Sequence, residues 1–258
     1  PDLFNWANIE PLGLVSVDTG TGGIKEAEKI NEIQALIVPM IMMMLLFMML
    51  MMGAVPQLNS VMEEKSQRIA EVLLGSIKPF EFMMGKVIGG VGVSITASLV
   101  YIIGGIISIR RMGFEQYIPY QVIPWFFTYM VVAIIMFGSV CASVGSMCSE
   151  PKDAQSLSMP VMIPMIIPMF IMVPVIKEAQ STIVTVLSLF PTFTPTMMLL
   201  RLGTPGGVPS WQPWAGLAGM LLFTVLFVWA GGRVFRVAIL AQGEPPKLSN
   251  LVRWAIKG

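Results

Sequence analysis

The chain has 258 residues, of which 55% are hydrophobic and only 12% are charged, and its mean hydropathy is +0.77. Soluble domains carry roughly a quarter charged residues, so this composition cannot supply a water-facing surface. The formal net charge of +1 offers no basic surface to nucleic acid, and the absence of histidine excludes triads and metal sites that depend on imidazole. We therefore expect a membrane protein rather than a soluble enzyme.

The charged residues are segregated along the chain. Five runs contain no Asp, Glu, Lys or Arg, and they cover residues 35–55, 87–109, 124–148, 159–176 and 211–232. Each is about as long as the roughly 20 helical residues that cross a bilayer core, although the fourth is near the lower limit. The pattern predicts an all-α polytopic bundle with five transmembrane helices in this chain.

The segment between the first two runs has the pattern of an amphipathic helix over about 60–75. Ser60 and Glu63 have the spacing of a capping box, and Gly75 stands where a left-handed residue would end the helix. The apolar side chains of this segment share one face of a helical wheel, and these are Leu58, Val61, Met62, Ile69, Val72 and Leu73. Because the opposite face is partly acidic, docking to a protein is favoured over an interfacial helix in anionic lipid, which remains the alternative.

The fourth run is rich in proline. Pro160, Pro164, Pro168 and Pro174 fall on one side of a helical wheel. Each removes a backbone hydrogen bond, so the helix should bend, and either a gating helix or a purely structural kink fits this pattern. The following segment, 179–203, is broken by Pro191 and Pro195, and we predict two short extracytoplasmic or re-entrant helices there.

The distribution of Lys and Arg predicts the orientation. Ten of these residues lie in the loop 56–86, in the loop after residue 148 and in the tail 233–258, whereas six lie on the other side. The positive-inside rule places the richer side in the cytoplasm. The C-terminus is then cytoplasmic and the N-terminus of the chain lies outside the cell membrane. The odd number of runs and the first residue, Pro1, lead us to expect at least one earlier helix in a longer protein.

No energy-transducing site is predicted within the chain. Gly85 and Lys86 lack the remaining residues of a phosphate-binding loop, and the five runs contain no carboxylate of the kind that ion-coupled carriers use. We therefore predict no catalytic, cofactor-binding or metal-binding residue. ATP, if it is used, must be hydrolysed elsewhere.

Four segments together are similar to a known family. The stretch from Glu63 to Gly89, the loop SEPKDAQSLSMP, the segment LFPTFTPTMMLLR and the tail RVFRVAILAQGEPP occur in this order. They resemble the permease subunits of type 2 ABC exporters, in the subgroup related to sodium and drug exporters. The resemblance implies six spans in the full-length protein, with 1–33 as the end of an extracytoplasmic segment and 34–258 as the transmembrane permease domain.

The resemblance also implies partners and site residues. The helix at about 60–75 would be a coupling helix that seats in a cleft of a separate ATPase subunit, with contacts from Glu63, Glu64, Arg68, Glu71 and Leu74. ATP and Mg would be bound by that ATPase and not by this chain. A second permease, identical or different, would complete the transporter. The five prolines at 160, 164, 168, 191 and 195 are the candidate gating or pathway residues.

Two other classes of function remain open at this stage. A passive channel or secondary carrier would need a polar pore lining, and only a few Ser, Thr and Tyr side chains of the second and third runs could supply one. A membrane scaffold that transports nothing would also have apolar spans and could use the amphipathic helix as a partner dock. The transported substrate does not follow from these residues.

Overall fold

The structure is a computed structural model that describes residues 16–17, 24–25, 32–111, 113, 115, 118–177, 179–204 and 208–240. Most of the segment 1–33 and the tail beyond residue 240, both named in the sequence predictions, therefore lie outside the described residues. Two short strands, β1 (Ser16–Val17) and β2 (Ile24–Lys25), pair in an antiparallel sense. The remainder of the described chain is helical, with turns and short connections.

The helices follow one another with short connections. They are α1 (Glu32–Gly53), α2 (Val55–Ser66), α3 (Ile69–Leu73), α4 (Pro79–Arg111), α5 (Ile123–Met147), α6 (Pro151–Phe170), α7 (Met172–Lys177), α8 (Thr182–Leu189), α9 (Thr194–Leu202) and α10 (Trp211–Ala238). A proline occupies one of the first two positions of α2, α4, α5, α6 and α9. Proline suits these positions because its fixed φ is helical and its missing N–H would have no acceptor there.

Four stretches of the described chain are long and apolar enough to cross a membrane: Ile37–Ser66, Pro79–Arg111, Ile123–Met147 and Trp211–Ala238. They cover four of the five predicted runs to within two residues at either end. The other run, 159–176, is divided between α6 and α7, because the helix is interrupted at Ile171. Pro174 explains the interruption, since it lacks the N–H that would bond to the carbonyl of Phe170 and its ring would collide with that carbonyl.

Helix α5 lies at the centre of the bundle. In the most apolar 18 residues of each helix, 72% of the residues are buried in α5, compared with 28% in α10 and 17% in α4. Aromatic side chains at the start of α5 fix α10 beside it: the Tyr129 hydroxyl donates to the Pro213 carbonyl at 2.8 Å, and the rings of Trp125 and Trp214 lie 4.9 Å apart. Helices α5 and α10 therefore begin at the same end of the bundle and run in parallel.

Small residues bring α2 close to α5. A Cβ built on Gly145 would collide with the carbonyl oxygen of Leu58, so the two backbones are in direct contact there. Leu58, Val61 and Met62 of α2 are at most 4% exposed. Helix α2 is thus packed into the bundle by the apolar face that the sequence predicted for it.

The predicted continuous helix at 60–75 is wrong in its bounds. Helix α2 begins five residues earlier, at Val55, and Ser60 lies within it rather than at its cap. The helix ends at Ser66 because Arg68 has a left-handed backbone with a φ of 60°. Gly75 does not have positive φ, since among the described residues only Arg68 and Gly113 do.

Candidate coupling surface

The segment that is predicted to be cytoplasmic and to couple to an ATPase lies across one end of the bundle. Lys65, in the last turn of α2, donates to the carbonyl of Ser146 at 2.6 Å and to the carbonyl of Ala238 at 2.8 Å. Ser146 lies in the last turn of α5, and Ala238 is the last residue of α10. The carbonyl groups at helix C-termini carry partial negative charge, so one ammonium group holds the ends of two long helices.

A second lysine joins the same helix to α4. Lys86 Nζ lies 2.6 Å from Oε1 of Glu64 and 2.6 Å from Oγ of Ser60. The side chains of Lys86 and Glu64 are 15% and 26% exposed, so solvent screens this ion pair less than it screens an ion pair on the surface. Helix α2 is therefore bonded to α4, α5 and α10 through two lysines.

The left-handed residue Arg68 changes which side chains face outward after α2. The sequence pattern placed Ile69 and Val72 on the buried face, but they are 42% and 79% exposed, whereas Ala70 is 1% exposed. A continuous helix would have kept the register of α2, and the break turns α3 relative to it. Two apolar side chains therefore project from this end of the protein.

We call the exposed side chains of this segment the α2–α3 surface. It consists of Glu63, Arg68, Ile69, Glu71 and Val72. A cavity of about 270 Å³ lies beside it, lined by side chains of α2 and α3 together with Ser149 and Ile239. Exposed apolar side chains bordered by charges of both signs are the composition of a protein-binding surface.

The five predicted ATPase contacts do not have equivalent positions. Glu63, Arg68 and Glu71 are exposed on the α2–α3 surface, and Leu74 is half-buried. Glu64 is turned into the bundle toward Lys86. Glu64 is therefore less available to a partner protein than the three exposed charges, because its ionic partner Lys86 lies within this chain.

The predicted gating prolines are divided between two places. Pro160, Pro164 and Pro168 lie inside α6, with exposure decreasing toward Pro168, which is buried. Pro191 separates α8 from α9, and Pro195 lies in the first turn of α9; both are buried. The predicted division of segment 179–203 into two short helices agrees with α8 and α9.

Sequence reasoning missed the role of Arg201, which is fully buried. Its guanidinium donates to the Ala179 carbonyl at 2.9 Å, to Ser188 Oγ at 2.5 Å and to Thr185 Oγ1 at 3.2 Å. These bonds fix α9 against α8. The apolar segment around Arg201 was the available signal, because an arginine there must be either exposed or held by several acceptors.

Cys148 follows the last residue of α5, at the end of the bundle where Lys65 bonds to Ser146. Burial is the main cause that raises the pKa of the Cys148 thiol to about 11. Among the described residues, no group of three or more acidic or cysteine side chains could hold a metal ion.

The fold defines a class: a multi-pass helical membrane protein with an ordered, partly charged segment at one end. A family model described as "ABC-2 family transporter protein" matches residues 8–233. The chain therefore belongs to the ABC-2 family, whose members are membrane permeases of ABC transporters. This membership confirms the resemblance to ABC permeases, while the sodium and drug exporter subgroup stays a prediction.

Two relatives show how far the similarity extends. The chain is 25% identical over 234 residues to the uncharacterized protein YhaP of Bacillus subtilis. The matched region covers 86% of this chain and 55% of the relative. It is 23% identical over 200 residues to the uncharacterized protein MJ1024 of Methanocaldococcus jannaschii, covering 78% and 49%. The chain thus spans about half the length of these curated relatives. No solved structure matches it.

Proposed function

We propose that this chain is the transmembrane part of an ATP-driven exporter and that a separate ATPase subunit binds the α2–α3 surface. The observation that carries the proposal is the pair of lysine bonds beneath that surface. Lys65 holds the ends of α5 and α10, and Lys86 holds α4 to Glu64. A partner that moves α2 would therefore move three long helices together.

The proposed mechanism follows from these connections. ATP binding and hydrolysis would close and open the ATPase subunits, and α2 would follow their movement. Because α2 and α5 are in backbone contact at Leu58 and Gly145, little of that movement would be lost in side-chain rearrangement. The ATPase must bind the two states of the permease with different affinities for this coupling to occur.

Five crossings and the predicted orientation are part of the same proposal. Helix α6 begins beside α2, where a cavity is lined by Leu58, Asn59 and Pro151. Helix α7 ends near the other end of the bundle, where Val175 packs with Met43 of α1. Together α6 and α7 would form the remaining span, interrupted at Ile171. The α2–α3 surface and the C-terminus would be cytoplasmic, and α8 and α9 would be extracytoplasmic or re-entrant.

A second permease would pack against the outer side of the bundle. The most apolar 18 residues of α4 are less buried than those of the other three candidate spans. A Cβ built on Gly85, Gly89 or Gly92 would have no neighbour within 4 Å, which leaves room for a close helix approach. The prolines of α6 and the buried pair Pro191 and Pro195 remain the proposed gating residues. Bent helices there could open a path without breaking regular hydrogen bonds.

Co-purification of an ATPase tests the proposal. The full-length protein would be solubilised from native membranes, and bound proteins would be identified and assayed for ATP hydrolysis. We expect an ATP-binding-cassette ATPase with the unaltered protein and with Val72→Leu, which keeps the apolar surface. We expect its loss with Val72→Glu, which puts a charge at a contact that must be desolvated. Absence of an ATPase from the unaltered protein, or its retention by Val72→Glu, would contradict the proposal.

A further inference from the structure

A basic cavity lies between the start of α4 and the end of α10, and none of its lining residues belongs to the α2–α3 surface. It has a volume of about 410 Å³ and is lined by Lys78, Pro79, Phe80, Gly232 and Arg236. We call it the α4–α10 cavity. Lys78 and Arg236 are exposed, and within the described part of the chain neither side chain makes a hydrogen bond or ion pair. Two cations that have no partner among the described residues thus line one space.

The backbone around the cavity adds to its positive potential. Helix α4 begins at Pro79, which has no N–H, and the N–H groups of Phe80 and Glu81 have no acceptor within the helix. The positive end of the helix dipole is directed to the same place. Glu81 is the nearby acid, and its carboxylate accepts a hydrogen bond from the backbone N–H of Lys78 at 3.2 Å. With Lys78 and Arg236 counted against Glu81, the local charge remains positive.

The surroundings of the cavity are those of a membrane–water interface. Trp229, which is 52% exposed, lies one helical turn before Arg233, and the guanidinium of Arg233 lies 4.3 Å from the centre of its ring. Tryptophan and arginine in this arrangement are typical of the headgroup level of a bilayer. The exposed ring of Phe80 provides an apolar wall beside the two cations. A phospholipid matches both parts of the cavity, since its phosphate suits the two cations and its acyl chains suit the apolar wall of Phe80.

The packing of α4 on α10 keeps this space open. Gly232 allows the ring of Phe80 to lie against α10, since an added Cβ would come within 2.7 Å of Phe80 Cδ2. The packing of Phe80 on Gly232 therefore fixes one wall of the cavity.

We propose that the α4–α10 cavity binds the phosphate headgroup of an anionic phospholipid. Lys78, Arg236 and the first-turn N–H groups of α4 contact the phosphate, and Phe80 packs beside the glycerol and acyl chains. A bilayer supplies this ligand at the level where Trp229 places the cavity, and basic pockets between membrane helices bind such headgroups. The inference rests on the proposed placement of α4 and α10 in the membrane, and it does not require an ATPase partner.

Lipid retention by the full-length protein tests this site. The purified protein would be placed in nanodiscs of phosphatidylcholine with a minor fraction of phosphatidylglycerol, and native mass spectrometry would measure the lipid that remains bound. Each cation near an anionic headgroup changes the association constant by about fivefold, so Lys78→Gln with Arg236→Gln should reduce the association constant for the lipid by about twenty-five-fold. Lys78→Arg with Arg236→Lys keeps both charges and should retain the lipid, which also shows that the site tolerates substitution.

A matched control removes two cations elsewhere. Arg111→Gln with Lys152→Gln changes the total charge equally and should leave retention unchanged. Equal retention by all variants would overturn the proposal, as would displacement of phosphatidylglycerol by millimolar inorganic phosphate, which would indicate a site for free phosphate. Because no ATPase is present, the result is independent of the co-purification experiment.

Discussion

Lys86 Nζ lies 2.6 Å from Oε1 of Glu64, and this contact bonds α4 to α2 at the end of the bundle that carries the α2–α3 surface. The other carboxylate oxygen of Glu64 is buried and has no hydrogen-bond partner among the described residues. An ion pair in such surroundings constrains the two helices, because separating them would leave two poorly solvated charges.

Replacing one partner of this pair should destabilise the protein. Lys86→Met leaves the Glu64 carboxylate half-buried and unpaired, and we expect the free energy of unfolding to fall by about 1–2 kcal/mol. Thermal unfolding of the full-length protein in detergent would measure the change. Glu64→Gln with Lys86→Met should recover part of the loss, since no charge is then left unpaired. A Lys86→Met protein as stable as the unaltered one would show that the pair contributes nothing.

Adding one methyl group at the contact between α2 and α5 should destabilise the protein. Gly145→Ala places a Cβ against the carbonyl of Leu58, and we expect destabilisation by about 1–3 kcal/mol, less the gain in helix propensity. Gly105→Ala is the control, because a Cβ there has no neighbour within 4 Å. It should be neutral or stabilising by up to about 1 kcal/mol. Similar melting temperatures for the two variants would contradict the close approach.

Two substitutions of Arg68, whose backbone is left-handed, separate the contribution of its side chain from that of its backbone conformation. Left-handed φ costs an L-residue roughly 1–2 kcal/mol, and glycine avoids this cost. Arg68→Gly should therefore be more stable than Arg68→Ala by about 1 kcal/mol in thermal unfolding. Both variants should bind the ATPase equally weakly if the guanidinium makes the contact. If Arg68→Ala is the more stable of the two, α3 does not have the described register.

Much of the fold could be predicted from the sequence because membrane helices are encoded locally. A run without charges must span or be buried, so the runs that form most of α1, α4, α5 and α10 were identifiable from composition alone. The division of α8 from α9 could be predicted for a similar reason, since Pro191 and Pro195 prevent one continuous helix. The interruption at Ile171 was harder to predict, because α6 tolerates three prolines and only Pro174 coincides with a break.

The candidate site was predicted less completely because its contacts join distant parts of the chain. Nothing near Lys65 in the sequence indicates that it bonds to Ser146 and Ala238, and no local pattern pairs Lys86 with Glu64. The helical-wheel argument for 60–75 assumed one continuous helix. The left-handed residue at Arg68 made that assumption wrong, so Ile69 and Val72 were assigned to the wrong face.

Site-specific photo-crosslinking at Val72 would test the central claim most directly. A photoreactive phenylalanine analogue would be incorporated at Val72, and separately at Met159, which is 67% exposed on α6. Irradiation in native membranes should join position 72 to an ATP-binding-cassette ATPase, whereas position 159 should give no such product. If position 72 forms no adduct with an ATPase that co-purifies with the protein, or if both positions react equally, the α2–α3 surface is not the coupling site.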